Sequence, residues 1–413
     1  MQLALLRGGS VSTLLNSTIL TSKLLAPLFI NGQVGDVPLL SLSFTGSGLP
    51  DDVTFERSSA ALGRDSSENL YLTTSGEARL RSDLGVRVEE SRTTSRCGQL
   101  DGNSSAFPLN VVITQDEDDP TGGTAASKAM VASTGDTLTL ASTTYFGSSY
   151  SSGSVSHAAY VRPIGDLRYI QCFGNTGTTW YINFDLSGSG TITASSGVSN
   201  TGIIPCADGG YIIYYDLTAT REAYMRFVLL DDGATGRAGS ASLQTTDGLL
   251  VYAPNAVNAA GFTSLIPGNI SASATRARDN VSFSPTSIPI NSGRIEIQAR
   301  TALFLGAEEQ TLIHIGNSGT NWHIRRDPSG KFTAWMGSAS ADISTSTFAD
   351  DTDITLIWEW DGTSHKFTIN GEATTVTGSA IDAPITTAVL GRHYGNNNEF
   401  WNGYIKSVKI YGG

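Results

Sequence analysis

DITLIWEWDGTSHKFTINGEA, residues 353–373, is a strand, a turn and a second strand written in side chains. Trp358 and Trp360 share one face of an extended chain and Glu359 points the opposite way, because successive strand residues alternate sides. The two tryptophans therefore read as core. Phe367 and Ile369 share a face in the next strand, which ends at Asn370-Gly371, the dipeptide that tolerates the positive φ angles of a tight hairpin. Working outward, RIEIQARTAL (294–303), QTLIHIG (310–316), NWHIRRD (321–327), KFTAWMG (331–337) and GYIKSVKIYG (403–412) are further strands between tight turns. Five of the six tryptophans fall in this region: Trp322, Trp335, Trp358, Trp360 and Trp401. Residues 286–413 thus read as a β-sandwich of their own.

The rest of the chain has the same character. Of 413 residues, 45 are Gly and only 15% are charged, against about 25% in typical soluble domains. Many turns and few charged helical faces point to an all-β protein built from short strands. A net charge of -12 argues against a nucleic-acid partner, which wants a basic stripe. No apolar stretch reaches the ~20 residues of a membrane span. The start, MQLALLRGGS, lacks a basic segment followed by a continuous apolar core, so a secretory signal is not expected. Cys97, Cys172 and Cys206 are too few and too widely spaced for a disulfide framework or a CxxC metal site, and read as small buried thiols. No cofactor is expected.

Residues 1–40 carry apolar side chains at partly helical spacing, interrupted by Pro27 and Gly32. Too few to form a core, they read as an attachment arm, with an ordinary element packed on the first domain as the alternative. Residues 41–104 read as a small β-rich anchoring module. Residues 105–285 read as a jelly-roll sandwich, from PLNVVITQ, HAAYVRP, RYIQCFG, GGYIIYYDLTA and similar strands at short intervals. A linker with two prolines, DNVSFSPTSIPINSG (279–293), places a boundary near 286.

Two resemblances follow from particular residues. The run 353–373 and the closing FWNGYIKSVKIYGG (400–413), with Gly403, Ile405, Val408, Ile410 and Tyr411 in a G-x-I-x-x-V-x-I-Y pattern, resemble the concanavalin A-like/laminin G superfamily. That fold serves lectins, adhesion modules and glycanases alike. VTFERSSAA (53–61), LGVRVEESRTT (84–94) and GFTSLIPGNISASATRARDNVSFS (261–284), with HAAYVRPIGDLRYIQCF between them, resemble a family of bacteriophage virion proteins described as head spike or tail fibre proteins. The resemblance spans roughly residues 40 to 285 and rests on Thr263, Ser264, Ile266, Pro267, Thr275, Arg276 and Asp279 in the last run. It implies a virion location, a homotrimer, and sandwiches projecting toward host-surface glycan; attachment to other capsid or tail proteins is assigned to the N-terminal arm, which lies outside the resemblance.

Glu89 and Glu90 are the most conspicuous carboxylates. A glycosidase pair needs carboxyls about 5–10 Å apart that face one bond, whereas strand neighbours diverge. With Arg87 and Arg92 alongside, they read as structural ion pairs. DEDD (116–119) and DDTD (350–353) offer oxygen ligands for calcium, but solvated acidic turns explain them as well. The five histidines form no HExxH and no close pair with cysteine, so no zinc site is expected. No GxSxG, serine triad or phosphate loop is present. NWHIRR (321–326) and GRHYGNNNEFW (391–401) combine aromatic with hydrogen-bonding side chains. Trp322, Arg325, Arg392, His393, Tyr394 and Asn396 are the residues expected to bind a glycan, by stacking on sugar rings and bonding their hydroxyls. The leading reading is a non-enzymatic virion spike, fibre or decoration subunit. The alternatives are a virion-associated glycan depolymerase, for which Glu296 and Glu308 are candidates without a motif, and a secreted adhesin or lectin.

Overall fold

The computed structural model describes residues 29–30, 33–34, 37–97, 100, 110–137, 139–142, 154–174, 180–217, 225–239, 241–267, 274–302, 309–317, 319–337, 339–394 and 399–413. The expected attachment arm lies outside these residues, except for the paired strands Phe29–Ile30 and Gln33–Val34 and residues 37–40. Among the described residues the chain is all-β, with one 3-10 turn at Pro285–Ser287.

The opening stretch folds as its alternation demands. Asp353–Asp361 pairs with Ser364–Ile369, placing Trp358 opposite Phe367 and Trp360 opposite His365. Both tryptophans, Phe367 and Ile369 are buried in one core, while Glu359 and Lys366 form an ion pair of 2.7 Å on the outer face. Asn370 and Gly371 sit at φ 46° and 94°, both left-handed, as the two-residue turn requires.

Two sheets enclose this core. One runs in the order Glu372–Thr377, Ser364–Ile369, Asp353–Asp361, Ser292–Arg300, Tyr404–Gly412, Gly85–Arg87, Leu80–Arg81, with Leu40–Ser43 also on Tyr404–Gly412. The other runs Ala339–Asp342, Phe332–Met336, Asn321–Arg326, Gln310–Gly316, Thr387–Leu390, Asn280–Phe283, Val53–Glu56. Ile297, Leu356, Val408 and Ile410 from the first meet Ile313, Trp322, Ile324 and Leu390 from the second.

The middle of the chain forms a second two-sheet sandwich. One sheet runs Val111–Glu117, Ala126–Val131, Gly248–Val257, Val155–Ile164, Tyr211–Leu217, Ser199–Pro205, joined by Arg92–Cys97 and Ala274–Arg276. The other runs Leu140–Ser142, Arg226–Leu230, Tyr169–Phe173, Tyr181–Asp185, Thr191–Ser196. Val161, Ile213, Tyr215 and Val251 pack against Ile170, Ile182, Phe184 and Leu229 between them. Cys172 and Cys206 are buried free thiols.

Residues 41–104, read from the sequence as an anchoring module, contribute strands to both sandwiches. Leu40–Ser43, Val53–Glu56, Leu80–Arg81 and Gly85–Arg87 extend the C-terminal sheets, and Asn280–Phe283, placed by sequence before the boundary at 286, does the same. The hairpin Ala61–Arg64/Leu70–Thr73 lays Leu62 and Leu70 on the outer face of the middle sheet, against Tyr160, Leu250 and Tyr252. Arg92–Cys97 then pairs into that same sheet. Local patterning announces a strand but not its partner, which here lies hundreds of residues away.

At this seam Glu89 is fully buried. Its carboxylate accepts from Arg79 (2.5 Å), Arg276 (3.0 Å) and Arg87 (2.6 Å) and from the Ser264 hydroxyl (2.7 Å). Asp279 accepts from Arg57 (3.0 Å), from Arg79 and from the Glu89 amide (2.9 Å). Burial alone would raise the Glu89 pKa, but Arg276, Arg79 and Arg87 hold it well below the usual carboxylate range. Burial lowers Arg276 to about 10 despite Glu89. Glu90 turns away and pairs with Arg92. The adjacent glutamates are therefore structural ion pairs, as the alternation argument expects.

Candidate functional site

The strands Gln310–Gly316 and Asn321–Arg326 form a hairpin in which Ile313, Ile315, Trp322 and Ile324 enter the core. Alternation sends the residues between them, His314 and His323, to the outer face, and the register sets them directly opposite one another. Trp335 lies opposite His323 on the next strand, and Val389 opposite His314 on the other side.

A third histidine arrives from above. The chain leaves Thr387–Leu390 at Gly391, whose φ is 72° and where a Cβ would lie 2.5 Å from Val88 Cγ1, so only glycine fits. It then folds back on itself. Arg392 bridges Phe400, the His393 amide donates to the Glu399 carbonyl (3.2 Å), and the Trp401 amide donates to the Gly391 carbonyl (2.8 Å). Trp401 is buried and its indole N–H donates to the Arg300 carbonyl at 3.0 Å, pinning the base of this excursion.

The result is a compact group of rings. His314 and His323 stack at 5.9 Å and 6°. His393 stands edge-on to both, at 4.6 Å and 81° and at 4.7 Å and 87°. Trp335 stacks on His323 at 6.1 Å and 2°, and Tyr394 lies 6.2 Å from His314. Trp335, His323, His314 and Tyr394 thus form a row with exposed ends: Trp335 is 36% and Tyr394 56% exposed, against 1% for His314 and 6% for His323. Burial, reinforced by the neighbouring His393, lowers His314 to about 4 and His323 to about 3. Burial lowers His393 as well, against the nearby Glu399 charge. All three are neutral imidazoles at neutral pH.

Of the residues expected from sequence, Arg325, His393 and Tyr394 meet on this outer face. Arg325 is ion-paired with Glu309, and its Nε donates to Thr333 Oγ1 at 3.2 Å. Arg392 is half-buried, and burial, reinforced by the neighbouring Arg278, lowers its pKa against the Glu56 charge. Asn396 lies outside the described residues. Trp322 is a correction: it is 1% exposed in the core, and its indole N–H donates to the Ser379 carbonyl at 3.1 Å, so it offers no face to a sugar. Sequence reasoning missed His314, His323 and Trp335. Its expectation of no zinc site rested on the lack of an HExxH and of a close histidine–cysteine pair along the chain, a test that does not see residues brought together by strand register.

In the acidic turns several carboxylates have protein partners. Asp119 accepts from the Thr121, Gly123 and Ala125 amides and the Thr121 hydroxyl. Asp351 and Asp353 pair with Arg300, and Asp350 with Arg326. Glu296 accepts from Arg294 and the Tyr411 hydroxyl; Glu308 lies outside the described residues.

A cleft of ≈ 350 Å³ lies at the seam between the sandwiches, with Leu62, Leu70, Ile204 and Phe262 on one side and Arg81 and Tyr404 on the other. Its charges are spent internally: Arg81 pairs with Glu68 and Asp83, Arg64 with Glu68, Arg87 with Glu89. The ring row, by contrast, holds buried ring nitrogens without hydrogen-bond partners at His314 and His323 and accessible aromatic side chains at Trp335 and Tyr394.

No family model matches the chain, and no curated relative does. Among solved structures it is similar to the CBM40 module of the Ruminococcus gnavus IT-sialidase bound to α2,6 sialyllactose, with 16% identity over 30% of this chain and 77% of that one and a TM-score of 0.25. It is similar to domain 4 of AbnA, a GH43 extracellular arabinanase from Geobacillus stearothermophilus in complex with arabinotriose, with 16% identity over 37% and 76% and a TM-score of 0.27. It is also similar to domains LG4-5 of the mouse laminin alpha1 chain, with 11% identity over 75% and 93% and a TM-score of 0.24.

Proposed function

We propose that the protein is a carbohydrate-binding surface subunit of a virion, a spike, fibre or decoration protein, whose C-terminal sandwich engages host glycan through the outer face around His393. The observation that carries the binding reading is the ring row with its two accessible ends. Trp335 and Tyr394 offer aromatic faces to the apolar side of a sugar ring, and Arg325 and Arg392 stand beside them as hydroxyl donors. The virion reading is supported by the resemblance of residues 53–61, 84–94 and 261–284 to head spike and tail fibre proteins. Within these runs Arg57, Glu89, Ser264, Arg276 and Asp279 belong to the buried ion network, which gives their co-occurrence a structural reason. In this reading the arm binds other capsid or tail proteins, and the subunit assembles as a trimer.

The test is capture of the full chain on immobilised host surface polysaccharide. Trp335→Ala and Tyr394→Ala each weaken capture about tenfold, since an aromatic contact contributes about 0.5–1.5 kcal/mol and ~1.4 kcal/mol is a factor of ten. Capture unchanged in both variants sinks the site. Reducing ends released during the same incubation would transfer the reading to the depolymerase alternative. Labelled antibody against the chain, imaged on intact particles, tests the virion placement separately.

A further inference from the structure

We propose that His314, His323 and His393 form a binding site for one divalent transition-metal ion of the zinc class. Their donor nitrogens all lie within 4.8 Å of one another. Zinc–nitrogen bonds of about 2.0–2.1 Å imply nitrogens roughly 3.3 Å apart in a tetrahedral site, so closure needs small side-chain movements and no change of backbone. Two of the ligands sit on one rigid hairpin, opposite each other in register. The third is delivered by a loop whose base is pinned at Gly391 and Trp401.

A second observation points to a ligand independently. Both ring nitrogens of His314 and both of His323 are buried with no partner in hydrogen-bond geometry; the polar groups that act on His314 are His393, the Asn321 side chain and Arg392. Buried polar atoms are nearly always paired, and an exception calls for a reason. The other fully buried histidines of the described residues are paired. His157 Nδ1 meets the Tyr215 hydroxyl at 3.0 Å, and His365 accepts from the Trp358 indole (3.2 Å) and bonds the Ser379 carbonyl (3.0 Å). Only in the cluster are imidazole nitrogens left over, and there they converge.

The donor set selects the ion. Three imidazole nitrogens and no carboxylate suit zinc, cobalt, nickel or copper, whereas calcium and magnesium want oxygen. The flanking charges do not compete for the ion: Arg325 is held by Glu309, and Glu399 accepts from Thr311 at 3.2 Å. Three protein ligands leave at least one coordination position to water or a small ligand.

The experiment is titration of the full, chelator-stripped chain with Zn²⁺ by calorimetry, and with Co²⁺ by visible absorption, with no carbohydrate present. The outcome is therefore independent of the glycan reading. Expected are one ion per chain, an intense cobalt band of low-coordinate type, and a rise in melting temperature with metal. His393→Ala, at a half-buried loop position that leaves both sheets intact, should weaken zinc at least about 100-fold, since even an outer-shell partner of a metal ligand is worth about 10–100-fold. His323→Gln should do the same; if it does not fold, His393→Ala decides. Zinc binding of equal affinity in His393→Ala, a stoichiometry well below one, or cobalt retaining the spectrum of the free aqua ion would each overturn the proposal.

Discussion

Glu89→Gln is the sharpest probe of the seam between the two sandwiches. The substitution keeps shape and removes one charge. Four guanidinium groups, Arg57, Arg79, Arg87 and Arg276, meet two carboxylates there, Glu89 and Asp279. All these side chains are 0–1% exposed except Arg87, at 14%. Glu89 neutralises three of the four, so glutamine leaves Arg276 and Arg87 buried without a counter-charge. Removing one partner of a buried ion pair costs about 3–5 kcal/mol. At ~2–4 °C per kcal/mol for cooperative units of 150–250 residues, melting falls by roughly 6–20 °C. The assay is denaturant unfolding at pH 7, read by far-UV circular dichroism and by tryptophan fluorescence. Five of six tryptophans lie in residues 286–413, so fluorescence reports that sandwich and dichroism reports both. The two transitions coincide in the native chain and separate in Glu89→Gln. The folded pKa of Glu89 lies below its unfolded value near 4.5. Its stabilisation is therefore complete above that value and is lost as pH falls through the folded pKa. The gap between native and Glu89→Gln must accordingly narrow below about pH 4.5. A variant within ~1 kcal/mol of the native chain at pH 7, with coincident transitions, refutes the argument.

Two further outcomes are expected. Gly85→Ala forces a Cβ to 2.0 Å from the Ile405 carbonyl oxygen at a φ of 94°. It should cost at least about 2 kcal/mol and expose the Val88 amide, which donates to the Gly403 carbonyl at 2.9 Å, to hydrogen exchange; native-like protection there would contradict the close approach of Gly85 to Ile405. Burial pushes the Cys172 thiol up and the Cys206 thiol to about 11. Peptide mapping after iodoacetamide treatment at pH 8 should find neither alkylated in the native protein and both alkylated in denaturant; native-state labelling at the rate of a free thiol would show that the burial is wrong.

How much was legible in the sequence depends on range. Trp358, Trp360, Phe367 and the Asn370-Gly371 turn are governed by alternation and local dihedrals, and the structure follows them. Trp322 and Arg325 were grouped as one site although they stand an odd number of residues apart and so face opposite ways. Parity pairs Trp322 with Ile324 and His323 with Arg325, and the larger apolar pair takes the core. The same bookkeeping across the turn at residues 317–320 would have set His314 opposite His323. His393 could not have been found that way. It reaches the pair through an excursion off a strand that sits beside Gln310–Gly316 only in the tertiary structure.

The charged run at residues 85–94 and the ring row are tied by one strand. Asn280–Phe283 pairs on one side with Val53–Glu56, which leads directly into Arg57, and on the other with Thr387–Leu390, which leads directly into Gly391 and His393. It begins one residue after Asp279, the partner of Arg57 and Arg79. A chain with so few charges and so many short strands has little to fix which edges pair, since a slipped register exposes the wrong face at small local cost. Four arginines that can be satisfied only when residues 57, 79, 87, 89, 276 and 279 meet supply that choice. The seam therefore sets the register of the strand from which the site loop departs. Loosening it at Glu89 should blur the geometry at His393 before the C-terminal core itself gives way.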